Sequence, residues 1–120
     1  MHSEKELLEI LKTQPEEISF GDVISVIAES YSYIPTAFVN GEGTFMVRNG
    51  AGQNEGSCKI FSFAKLHKLS ADQTVHCFGD FYRRDVLENP KGNDHQNIRA
   101  FIQHGWQGIK FDGDPLTAKK

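Results

Sequence analysis

Apolar positions near the start of the chain recur at helical spacing. Leu7, Leu8 and Leu11 fall at i, i+1 and i+4, behind a Ser3 and Glu6 pair with the separation of a capping box. The pattern predicts a first helix that Pro15 closes. Ser19 and Asp22 repeat the start signal, and Phe20, Val23, Ile24, Ile27 and Tyr31 form the stripe of a second helix that Pro35 prevents from continuing. Residues 35–56 then lose the helical period. Asn40-Gly41, Gly43, Asn49-Gly50, Gly52 and Gly56 make this the densest turn chemistry in the chain. Within it, residues 37–39 and 44–47 can pair as a short hairpin across residues 40–43. The remainder reads as a long ordered loop, of the kind more often functional than a plain connector.

The helical period returns at residues 55–67, where Ile60, Phe61, Phe63, Ala64 and Leu66 leave Lys59, Ser62 and Lys65 for solvent. A helix this apolar is the central one. Ser70 with Gln73 starts a fourth helix, expected to run to about Leu87. Its buried stripe is Ala71, Val75, Phe78, Tyr82 and Val86, and Gly79 lies on that face to admit a close neighbour. Residues 89–92 are a turn, after which Asp94 is expected to cap a last helix with Ile98, Phe101, Ile102 and Gly105 in register, followed by Trp106. Residues beyond Pro115 are expected to fray. With no repeat and no low-complexity segment, the pattern predicts a mainly α, compact single domain spanning residues 1–120, with five helices, one glycine-rich loop and a short β-hairpin.

Composition narrows the partners. The chain has 120 residues, 24% charged, with a net charge of −3 and no run of more than two Lys/Arg residues. That balance argues against disorder and against a general nucleic-acid or anionic-membrane binder, since basic patches supply most of such affinity. No apolar run approaches the roughly 20 residues of a bilayer span. The polar start, with acids at Glu4 and Glu6, lacks the pattern of a cleavable signal peptide. The expected location is the cytoplasm, or export by a route needing no such signal. Cys58 and Cys77 are too few for a disulfide framework and are expected as free thiols.

Candidate chemistry centres on the glycine-rich loop feeding the third helix, where free N–H groups favour anions and exposed amides suit recognition. Against a phosphate loop, five residues separate Gly50 from Gly56 and no Lys follows Gly56 directly. The plain alternative is glycine torsions used to turn sharply. Asn49, Gln53, Asn54, Ser57 and, from the last helix, Arg99 are the candidate ligand-binding residues. Cys58 stands in the first turn of the third helix beside Lys59, where a dipole lowers a thiol pKa, so a nucleophile served by a histidine is the rival reading. That candidate set is Cys58, His95 and Asp85, against the alternative that Cys58 is a small packing residue. Asp85 at the edge of its stripe needs a partner, with Arg99 or a backbone cap as candidates, and His95 is expected as a hydrogen-bonded, partly buried imidazole. His76 and Asp80 share a helix face but lack further ligands, so no metal site and no cofactor is expected.

Four blocks also resemble a known family: residues 31–40 (YSYIPTAFVN), 49–63 (NGAGQNEGSCKIFSF), 78–87 (FGDFYRRDVL) and 94–106 (DHQNIRAFIQHGW). They are similar to the HopJ type III effectors over residues 18–113, with added residues at 42–47. The resemblance implies a protein of the kind that pathogenic bacteria deliver into plant hosts through a type III system, although similar proteins occur outside pathogens. It implies no activity and no catalytic residues. The resulting expectation is an interaction or ligand-binding module whose partner is a protein or a small molecule, with a cysteine-dependent hydrolase or deamidase as the alternative. The sequence does not set its oligomeric state.

Overall fold

Three serines start three helices, each through its own hydroxyl. In the computed structural model, which describes residues 3–119 and every side chain among them except that of Phe45, Ser3 Oγ accepts from Glu6 N–H at 3.1 Å. Ser19 and Ser70 do the same for Asp22 and Gln73. The helices so begun are α1 (Glu4–Thr13), α2 (Phe20–Ser30) and α4 (Ala71–His76). Met1 and His2, part of the polar start, lie outside the described residues. Two further helices, α3 (Glu55–Leu66) and α5 (Gln96–His104), begin differently. Among the described residues no helix is long and apolar enough to cross a membrane.

The expected mainly α fold is corrected to α plus β, because two small antiparallel sheets join the helices. Strand β1 (Tyr31–Tyr33) follows α2 without a gap and pairs with β5 (Leu116–Ala118), Tyr31 opposite Ala118 and Tyr33 opposite Leu116. The segment expected to fray is therefore a strand, held because Pro115 and Leu116 are buried. A second sheet is ordered β3-β2-β4, from β2 (Phe38–Asn40), β3 (Val47–Asn49) and β4 (Lys110–Phe111). The expected hairpin exists in a different register: Phe38 faces Asn49 and Asn40 faces Val47, across residues 41–46. A 3-10 turn at Gly43–Phe45 takes the first two residues assigned to its second strand, of which Val47 alone lies in β3.

The fourth helix does not reach Leu87. Gly79 takes φ +61°, and a Cβ there would lie 2.7 Å from the backbone nitrogen of Phe20. The close neighbour foreseen at Gly79 is thus the start of α2, approached so tightly that the helix breaks. The chain resumes as a π-helical turn over Phe81–Val86, where Leu87 N–H reaches back five residues to Tyr82 O at 2.9 Å. Ala71, placed on the buried stripe, is exposed.

Helix α3 runs through the middle, as its composition requires, but its faces are rotated from the expected ones. Ser62 is buried, donating to Cys58 O at 2.7 Å, while Leu66 is 53% exposed. Phe61 lies at the centre of the core, with the rings of Phe101 at 5.0 Å, Phe78 at 5.4 Å, Phe38 at 6.1 Å and Trp106 at 6.4 Å. These rings come from α5, the α4 junction, β2 and the 3-10 turn Gly105–Gly108, so one side chain ties both the larger sheet and the helices together. On α5, Ile98 and Phe101 are buried and Ile102 is exposed, one step off the expected stripe.

Candidate functional site

Helices α3 and α5 share an unusual beginning. Each is entered from a non-glycine residue in the left-handed region, Asn54 at φ +50° and His95 at φ +51°, and neither has a side-chain cap. Asn and His tolerate this conformation better than most residues. The first helical bonds are Cys58 N–H to Asn54 O and Arg99 N–H to His95 O. The preceding N–H groups, of residues 55–57 and 96–98, are left without helical acceptors. His95, not Asp94 as expected from the sequence, is the residue at the α5 boundary.

Both first turns line one cavity of about 530 Å³. Asn54, Gly56 and Ser57 form one side, and His95, Gln96 and Asn97 another. The floor is apolar, from Phe20, Phe78 and Phe81. Phe81 stacks on Phe20 edge-on at 5.1 Å and on the His95 ring at 5.1 Å, making a continuous row of rings. Gly56 is what lets the floor rise: a Cβ there would sit 2.9 Å from Phe20 Cζ.

A buried amide network holds the two sides in place. Asn49 Oδ1 accepts from Asn54 Nδ2 at 2.6 Å and from Asn97 Nδ2 at 2.9 Å. Asn97 Oδ1 accepts from Asn49 Nδ2 at 3.1 Å and Asn40 Nδ2 at 3.0 Å. The network joins β2, β3, the loop and α5, and its partly apolar surroundings make each satisfied bond stiffer than a surface one. Asn40 and Asn97 were not singled out from sequence. Asn40-Gly41 reads as a turn dipeptide, which hides that the Asn side chain points inward.

On the far side of the His95 ring, its Nε2 lies 3.0 Å from Asp85 Oδ2 and 3.9 Å from Asp94 Oδ2. Asp94 Oδ1 takes Arg99 Nη2 at 2.6 Å, and this hydrogen bond holds the Asp94 carboxyl below its ordinary value. Arg99 also donates to the carbonyls of Asp94, Asn89 and Asp85. The Asp85 carboxylate thus meets His95 and not the foreseen Arg99, which reaches only the Asp85 carbonyl. His95 is the half-buried, hydrogen-bonded imidazole expected.

The predicted residues are thus not gathered in one place. Asn54 and Ser57 line the cavity; Asn49 stands behind it; Gln53 is exposed, with Oε1 accepting from Gly50 N–H at 2.8 Å. Arg99 is occupied with the Asp94 and Asp85 segments. Cys58 is fully buried, its Sγ against Thr36 O at 3.6 Å, with Tyr33, Glu55 and Lys59 around it. Burial pushes the thiol up despite hydrogen bonds to Tyr33 and Thr36 and the nearby Lys59, opposite to the depression expected at a helix start. His95 and Asp85 come together; Cys58 makes its sulfur contact elsewhere. His76, expected on an exposed face, is half-buried and receives Arg83 Nη1 on its Nδ1 at 3.1 Å, while Asp80 is exposed.

Comparison with known proteins agrees with this architecture. A solved structure described as the crystal structure of the unknown-function protein VPA0580 superposes with a TM-score of 0.93 at 46% identity, covering 98% of this chain and 95% of the other. No curated protein matches. The model of the HopJ type III effector protein matches residues 4–116, nearly the whole chain, wider at both ends than the four blocks indicated. The chain belongs to the HopJ type III effector family.

Proposed function

We propose that this chain is a binding module that takes a small phosphate- or carboxylate-bearing ligand with a planar ring into the cavity between residues 54–57 and the start of α5. The observation that carries the reading is the convergence of two helix starts, both uncapped by side chains, on the same cavity. Free N–H groups there favour an anion. The Phe20, Phe81 and His95 row offers flat surface to a ring, and Asn54, Ser57 and Gln96 offer orienting hydrogen bonds. The cavity volume falls within the range of small-molecule sites, about 300–1,000 Å³. Membership of the type III effector family supports delivery into a host cell as the setting. Burial of Cys58 favours this reading over the cysteine hydrolase, because a nucleophile needs an accessible thiolate.

The test is a titration of isotope-labelled, metal-free protein with inorganic phosphate and with a nucleoside monophosphate, followed by backbone amide shifts. Shifts should concentrate at Gly56, Ser57, Asn97 and Ile98. Phe81→Ala should weaken the nucleotide by roughly tenfold and phosphate hardly at all, since only the former uses the ring surface. Absence of shifts at millimolar ligand, or shifts scattered over other faces, would overturn the reading.

A further inference from the structure

We infer that Asp85, Asp94 and His95 form a binding site for a divalent first-row transition-metal ion, set against the outer side of the His95 ring. This inference stands apart from the ligand reading, because it uses the imidazole nitrogen and two carboxylates and none of the free N–H groups. One donor atom from each residue lies within 4.8 Å of the other two. A six-coordinate ion with bonds of about 2.1 Å places neighbouring donors about 3.0 Å apart and opposite donors about 4.2 Å apart. The Nε2 to Asp85 separation of 3.0 Å and the Nε2 to Asp94 separation of 3.9 Å approach those two distances, so small side-chain adjustments close the site.

The arrangement is also poorly explained by an ordinary ion pair. Nε2 carries at most one proton, whatever the charge of the ring, and can donate to one carboxylate only. Two carboxylates nevertheless converge on it, from positions nine residues apart and with different folds: the π-helical turn and the link into α5. A cation at the common point serves both. Arg99 does not substitute for it, because Arg99 engages the other oxygen of Asp94, Oδ1, and leaves Oδ2 facing His95.

The support expected around a metal site is present. Ligand residues hold their geometry through partners in the next layer. Arg99 fixes Asp94 by carboxylate and carbonyl and grips the Asp85 and Asn89 carbonyls, so both carboxylate segments are tied to one guanidinium. Gly92 makes room for it: a Cβ there would lie 2.7 Å from Arg99 Nη2. Phe81 fixes the plane of the His95 ring. Two carboxylates against one guanidinium leave a net negative charge. One imidazole nitrogen with two carboxylate oxygens suits Mn²⁺, Fe²⁺ or Zn²⁺, and three protein donors leave coordination positions for water or an incoming group.

The experiment adds Mn²⁺ or Zn²⁺ to chelator-treated full-length protein and follows the melting midpoint. We expect a saturable rise at micromolar metal that is lost in Asp85→Asn and in His95→Gln. His76→Gln should retain it, although His76 also has a carboxylate, Asp72, at 4.0 Å. On the wild-type protein, Mn²⁺ should broaden amide signals around residues 85 and 94–95 first, a reading that stands even if a variant folds poorly. No rise up to millimolar metal, a rise unchanged in both variants, or broadening centred elsewhere would overturn the site. Phosphate shifts in metal-free protein are independent of all these outcomes, so the two readings fail separately.

Discussion

Replacing Gly79 with alanine introduces one methyl group where the chain has no room and the wrong backbone torsion for it. At φ +61° an L side chain costs about 1–2 kcal/mol through its own backbone. The new Cβ would also stand 2.7 Å from Phe20 N and 3.3 Å from Ser19 Cα, both backbone atoms that no rotamer change can move. Overpacking of this kind costs about 1–3 kcal/mol, giving a total of about 2–5 kcal/mol. Unfolding entropy of about 2.1 cal/mol/K per residue makes each kcal/mol worth about 4 °C in a 120-residue chain. The midpoint should therefore fall by about 8–20 °C. Gly105→Ala supplies the control, because Gly105 has φ +66° and nothing within 4 Å of its Cβ. It should lose only the torsional part, about 1–3 kcal/mol or 4–12 °C, since its ψ of −160° lies in a region essentially confined to glycine. Scanning calorimetry of the two variants decides the matter. Equal, small losses would show that α2 does not press on Gly79 and that the helix breaks there for another reason.

Asn97→Ala removes the shared acceptor and donor of the amide network and should cost about 2–3 kcal/mol in urea denaturation, where a surface change such as Gln107→Ala stays within about 0.5 kcal/mol. Native Cys58 and Cys77 should both alkylate slowly near neutral pH, at rates set by unfolding; fast modification of Cys58 would restore the nucleophile reading. Burial pushes the Cys77 thiol from its ordinary 9.0 up to about 12, so folding holds that proton more tightly than the unfolded chain does. Its contribution is whole below pH 9 and is lost as pH climbs toward 12. Cys77→Val should flatten that alkaline decline in urea midpoint, and an unchanged slope would refute the assignment. Asp94, held low chiefly by its Arg99 hydrogen bond, works in the opposite sense: its contribution is present above its ordinary 3.8 and is lost as pH falls below that. Asp94→Asn should therefore soften the acid limb of the same measurement.

What was legible in the sequence was local. Ser3, Ser19 and Ser70 cap helices because a hydroxyl and an amide three residues apart need nothing from the rest of the chain. The β2–β3 hairpin was indicated by its turn residues, but β1, β4 and β5 were missed because each has two or three residues, too few to show a period, and their partners lie far away in sequence. Gly79 reads as a helix residue until Ser19 and Phe20 are known to press against it. Ser62 and Leu66 exchanged places for a related reason: a helix apolar on most sides has no periodicity to say which polar residue goes inward. At the site, Asn54 and Ser57 were found because they sit in recognisable loop chemistry. Phe20, Phe81 and Asn97 were not, since a core-type aromatic and a lone asparagine come to line a cavity only when three distant segments meet.

The pairing of β1 with β5 also dictates an order of events during synthesis. Residues 31–33 emerge early, yet their partner is residues 116–118, and Ile34 N–H and the Ser30 carbonyl wait for Pro115 and Lys119. Until then β1 is an open edge beside Ile34, which stays 57% exposed even after closure. An unpaired edge is a template for other chains. Closing so long a loop costs only slightly more entropy than closing a shorter one, so the delay carries a kinetic hazard more than a thermodynamic penalty. Any chain released before residue 118, or threaded through a narrow channel in extended form, spends that interval with its edge open.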